Sequence, residues 1–170
     1  MTYSNGNQSG SISFSANLFQ EAMAADRWEA TYVRPWRHKL RELLGKEKTL
    51  LSLGLLDQTC HLAARAPKGI HNVPIRHIRG SVGRSDEFTT DFRPLKAHTR
   101  QRWIRVARAW QSGKGLPPVD LVQVGDTYFV MDGHHRISVA QAMGQDVIEA
   151  SVISWTAVSA ADQACVRAIL

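Results

Sequence analysis

The chain has 170 residues, 44% of them hydrophobic and 21% charged, the composition of a globular protein with room for one sizeable core. Its 21 Lys and Arg against 15 Asp and Glu leave a net charge of +6, which favours an anionic partner. No apolar run approaches the roughly 18 residues of a membrane span, and Cys60 and Cys165 have neither CxxC nor zinc spacing. The pattern argues against a membrane protein, a secreted disulfide scaffold and a zinc finger, and points to a reducing cytoplasm.

Met1 to Ser15 are rich in Ser, Asn and Gly, with too little apolar surface to offset ordering entropy, so a disordered leader is expected there. Residues 16–69 form a helical N-terminal extension. Leu18, Phe19, Ala22 and Met23 recur at helix spacing, as do Trp36, Leu40, Leu43 and Leu44, and each set predicts a helix. Pro35 suits a first helical position and Gly45 a stop. Arg34, Arg37, Lys39 and Arg41 read as a solvated face and, second, as a partner surface. Ser52 caps a further helix, Leu53 to Arg65, and Pro67-Lys68-Gly69 breaks the chain. The apolar stretch Leu50 to Leu56 offers a surface on which a second copy could pack, as a homodimer.

Residues 70–170 have a different texture. Val73 to Ile78 predicts a strand leading into a loop, Ser81 to Phe92, that carries Asp86, Glu87 and Asp91. A helix follows over 94–111, with Trp103, Val106, Ala107 and Trp110 on one face and Arg102, Arg105 and Arg108 on the other. Pro118 to Met131 reads as a hairpin turning at Gly125-Asp126. Next come a helix over His134 to Met143, a strand over Val147 to Ile153 and a terminal helix from Ala157. The order is that of an α+β fold, a small mixed sheet with helices. Trp28, Trp36 and Trp155 are expected to be packing residues.

Asp132-Gly133-His134-His135-Arg136 is where chemistry is expected. A strand ends, a glycine permits a tight turn, and a helix begins with its free N–H groups and positive dipole end available to an anion. Gly133 lets a phosphate approach the backbone, Arg136 can fork onto its oxygens, and a histidine can donate, or act as acid or base near neutral pH. Adjacent histidines diverge by about 100° on a helix, so a metal pair is not expected.

The run from Pro118 to Val152 resembles the core of the ParB/sulfiredoxin superfamily. Its strand-turn-helix signature G-x-x-R reads here as Gly133-His134-His135-Arg136, and with Asp132 it matches the DGHHR of archaeal free-serine kinases. Asn72 to Ile78 is similar to the opening strand of those domains. The resemblance covers residues 70–153. It implies a ParB/sulfiredoxin-like fold and a nucleotide, ATP, ADP or CTP, whose phosphates are held by Asp132, Gly133, His134, His135 and Arg136 with Mg2+. It also implies NTP hydrolysis or phosphoryl transfer, with a catalytic acid or base among Asp86, Glu87 and His134. Arg84, with Ser81 and Gly83, would cradle a further phosphate oxygen. His134 stands where sulfiredoxin has its catalytic cysteine, so the resemblance carries no reductase activity.

The second reading is a DNA-binding or nuclease-like module. Between Asp91 and Asp120 no acid interrupts the positive charges, and Arg102, Arg105 and Arg108 could track phosphates along a duplex.

Overall fold

The expected hairpin lies at the centre of the sheet. In the computed structural model, which describes residues 9–45, 49–113 and 115–170, strand β4 (Val119–Val124) turns at Gly125-Asp126 into β5 (Thr127–Asp132). The remaining strands are β1 (Leu51–Ser52), β2 (Leu62–Pro74), β3 (Ile78–Ser81) and β6 (Val147–Ala157). The six form one mixed sheet in the order β1-β3-β5-β4-β6-β2. β3 runs parallel to β1 and β5, and β4 parallel to β6. The pairs β4–β5 and β2–β6 are antiparallel.

Alternation along β4 divides the apolar side chains between two faces. Val119 and Leu121 join the cluster containing Val130, Ile137, Ala140 and Val152 under helix α5 (His134–Ala142). Val122 and Val124 join the cluster containing Phe129, Leu53, Leu56 and Val166 under helices α3 (Leu53–Cys60) and α6 (Ala160–Ile169). Outside α5 lies a further layer, helices α1 (Ser9–Thr31) and α4 (Arg100–Gln111), where Ala24, Trp28, Trp103, Ile104 and Ala107 bury against Val139. Trp103 Nε1 donates to Ser138 Oγ across that interface at 2.9 Å, so the indole polar group is satisfied where it is buried. Gly80 is required by close approach: a Cβ there would meet the Phe129 ring at 2.2 Å and the Leu51 carbonyl oxygen at 2.8 Å.

Several expectations change. Residues 1–8 of the expected leader lie outside the described residues, and α1 already begins at Ser9, because Ser9 to Ser15 contain no proline to stop it. The helix begun at Leu53 ends at Cys60, and residues 62–74 are strand. This strand sits at the sheet edge and is exposed along nearly its whole length, so no alternation marked it in the sequence; pairing with β6 decides it. Register shifts at Leu62/Ala64 and Pro67/Gly69 accommodate Pro67. The expected boundary between residues 69 and 70 therefore falls inside β2, and Leu51–Ser52 also belong to the sheet.

Cys60 and Cys165 form a disulfide, with Cα atoms 5.6 Å apart and a sequence separation of 105. Sequence distance hid the pairing; α3 and α6 pack side by side on one sheet face, and Ser159 caps α6 by accepting from the Asp162 N–H at 3.0 Å. Free thiols, the premise of the cytoplasmic reading, are not what the chain has. Among the described residues no helix is long and apolar enough to cross a membrane.

Leu50, Leu53 and Leu56 are core residues, and of that stretch Leu55 is the exposed leucine. The stretch thus exposes one leucine rather than a continuous apolar face. Trp28 is buried as expected, Trp155 lies under the Arg65 guanidinium at 4.0 Å, and Trp36 is exposed.

Candidate phosphate-binding site

β5 ends at Asp132 and α5 begins at His134, with Gly133 between them at φ 104°. A side chain there would be strained by the backbone, and its Cβ would lie 2.5 Å from Val119 Cγ1. Glycine is thus fixed by geometry. The first helical N–H with an intrahelical acceptor is that of Ile137, which donates to the Gly133 carbonyl at 3.0 Å. The amides of residues 134–136 are the orphan donors of the helix start.

Arg136 is turned inward. Its Nη1 donates to the carbonyls of Pro117, at 2.9 Å, and Pro118, and its Nη2 to Asp132 Oδ2 at 2.6 Å. The guanidinium clamps the motif to the segment leading into β4. This is a different position from the exposed fork expected from the sequence, and it also engages Asp132.

The two histidines are both buried, and they differ in partners. Ser81, at the end of β3, accepts at Oγ from the N–H groups of Gly83 and Arg84 at 3.3 and 2.9 Å. The same Oγ lies 2.8 Å from His134 Nε2. With both lone pairs taken, the hydroxyl hydrogen points at Nε2, so His134 carries its own hydrogen on Nδ1. His135, 5% exposed, has no hydrogen-bond partner at Nδ1 or Nε2. Its ring meets Phe88 edge-on at 5.3 Å, while His134 stacks on the same phenyl at 5.6 Å. Burial, then the positive charges of nearby arginines, hold both histidines down to about 4 (Arg84 first for His134, Arg102 first for His135). Both rings are neutral at pH 7.

A hollow of about 60 Å3 opens beside them, lined by Arg84, Arg102, Asp132, Gly133, His134, His135 and Arg136, with Val106 as its apolar wall. That is about two water volumes, the scale of one phosphate group. The structure thus joins the expected loop residue Arg84 to the motif. It also brings in Arg102, assigned from the sequence to a DNA-binding face; the sign missed was that it lies one residue from Trp103, whose indole reaches α5. Arg102 has no hydrogen-bond or ion-pair partner among the described residues.

Other expected residues lie elsewhere. Asp86 is exposed and pairs with Lys96 at 3.1 Å, and Glu87 faces Arg84 at 3.6 Å. Neither lines the hollow; the loop turns their carboxylates toward cations of its own neighbourhood. Arg108 pairs with Glu21 of α1 at 3.5 Å, and Arg100 with Glu29, so α1 neutralises part of the arginine face; Arg105 is exposed. Among the described residues no three His, Cys, Asp or Glu side chains cluster as metal ligands. A second hollow, about 850 Å3, lies at the other end of α5 and is lined by Arg41, Arg76, Arg79, Asp91 and Asp146 among others.

No family model matches the chain, and no curated protein matches it. Among solved structures, sulfiredoxin from Arabidopsis thaliana overlaps 51% of this chain and 86% of its own, with 20% identity and a TM-score of 0.40. The chain is similar in part to sulfiredoxin. That overlap concerns the arrangement of strands and helices.

Proposed function

We propose that this protein binds a nucleoside di- or triphosphate, with one phosphate group seated between Arg84, Arg102, His135 and the first-turn amides of α5. The observation that carries the reading is His135: a buried ring with both nitrogens unpartnered beside two guanidinium groups and a helix start. A buried polar group without a partner costs about 1–3 kcal/mol, and a phosphate oxygen accepting from this ring would relieve that cost. The charge-assisted donors around it suit an anion. The nucleoside, too large for the hollow, lies along the open surface beside it. The donor set fits phosphate better than a bare cation, because Asp132, the carboxylate of the site, is held by Arg136. Mg2+ would then arrive on the phosphates of the nucleotide. Once a phosphate is seated, hydrolysis or transfer becomes the next question, measured as phosphate released from ATP or CTP.

Calorimetric and thermal-shift titrations with ATP, ADP, CTP and GTP, with and without Mg2+, test the reading. Ligand bound only by the folded state raises stability by RT ln(1 + [L]/Kd). Arg84→Ala and Arg102→Ala are the informative variants, since Arg102 is exposed and Arg84 is half-buried beside Glu87, outside the apolar core. Loss of nucleotide affinity with unchanged melting of the free protein is expected. No response to any nucleotide, or a response indifferent to both arginines, overturns the reading. Duplex binding lost in Arg102→Ala and Arg105→Ala, with no nucleotide response, would transfer the site to DNA.

A further inference from the structure

Helix α2 (Pro35–Leu43) is docked inside out. His38, 8% exposed, faces the body of the protein, while Trp36, Leu40, Leu43 and Leu44 are 62%, 52%, 78% and 60% exposed. The apolar stripe of the helix points to solvent. The helix is held at its root, where Val33 is buried and its N–H donates to the Pro94 carbonyl at 3.0 Å.

The spacing of the stripe describes what would cover it. Trp36, Leu40 and Leu43 follow a four-then-three step, the seam that a single facing helix fills with its own knobs. Arg37 and Lys39 flank the seam, one on each rim, and the Arg37 guanidinium sits 5.7 Å from the Trp36 ring centre. A second copy of the chain would bring the same two cations against these, which opposes pairing through this face. A bilayer-bound helix presents its apolar face over more turns, whereas this stripe is about two turns long. We propose that the outward face of α2 is the docking site for an amphipathic helix of another protein whose apolar seam is flanked by acidic side chains.

A helix-locked two-heptad peptide with Leu at the seam positions and Glu on both flanks is the probe, with a Lys-flanked peptide as its counterpart. Calorimetry on the full chain is expected to give at least about tenfold tighter binding of the Glu peptide. The double variant Arg37→Glu/Lys39→Glu should reverse that preference, and Leu40→Asp/Leu43→Asp should abolish binding while leaving the melting temperature unchanged, since both leucines are exposed. Binding of neither peptide, or binding unaffected by charge reversal, overturns the proposal. So does a concentration-dependent dimer in sedimentation that Leu40→Asp/Leu43→Asp dissociates, which assigns the stripe to a second copy. Co-sedimentation with phosphatidylserine vesicles, lost in the same variant, would assign it to a bilayer and overturn the proposal equally.

Discussion

Ser81 Oγ lies 2.8 Å from His134 Nε2, joining the end of β3 to the first turn of α5. The same hydroxyl accepts from the amides of Gly83 and Arg84, so one buried oxygen fixes both the turn that presents Arg84 and the tautomer of His134. Ser81→Ala should cost about 1–3 kcal/mol, because it leaves a buried ring nitrogen and two amides without their partner. Urea unfolding would measure the loss. A change within a few tenths of a kcal/mol would show that water replaces the hydroxyl.

Gly133→Ala should destabilise by about 2–4 kcal/mol, from left-handed backbone strain and from its contact with Val119. The contact part is separable. Val119→Ala should cost less in the Gly133→Ala background than in the wild type, and a double-mutant cycle reads that difference. Strict additivity would mean that the strand has moved away.

His134 and His135 titrate near 4 in the folded protein against 6.5 for a free histidine. Between those values the unfolded chain binds more protons, so their contribution to stability is complete above about pH 6.5 and is lost as pH falls toward 4. The loss is on the order of 3 kcal/mol for each ring. His135→Gln should flatten the dependence of unfolding free energy on pH over this window. An unaltered slope would place the protons elsewhere.

Reducing the Cys60–Cys165 bond opens a loop of 105 residues and should lower stability by about 2–5 kcal/mol, chiefly by freeing the unfolded chain. Because Val166 is the one buried side chain of α6, its amides should lose hydrogen-exchange protection before those of β4 and β5. Equal loss across the sheet would show one cooperative unit.

Elements whose periodicity and punctuation agree were legible from the sequence. Val119 to Asp132 alternates and turns at Gly125-Asp126, His134 to Ala142 follows a glycine, and both appear as expected. The motif itself was legible because a left-handed turn between strand and helix demands Gly133 locally. What Arg136 does was not, since its acceptors at Pro117 and Pro118 lie 18 and 19 residues away. Arg102 likewise reaches the hollow through the packing of α4 on α5.

The sequence by itself determined the mixed α+β class, the central hairpin and the strand-to-helix junction, because each is specified by neighbours within a few residues. Only the tertiary structure decided that residues 62–74 are an edge strand, that Cys60 meets Cys165, that Arg136 is a clamp and His135 an open donor, and that the stripe of α2 faces outward. Each of these depends on which surface comes to lie against which, and a pattern of apolar residues shows a helix face without saying what that face meets.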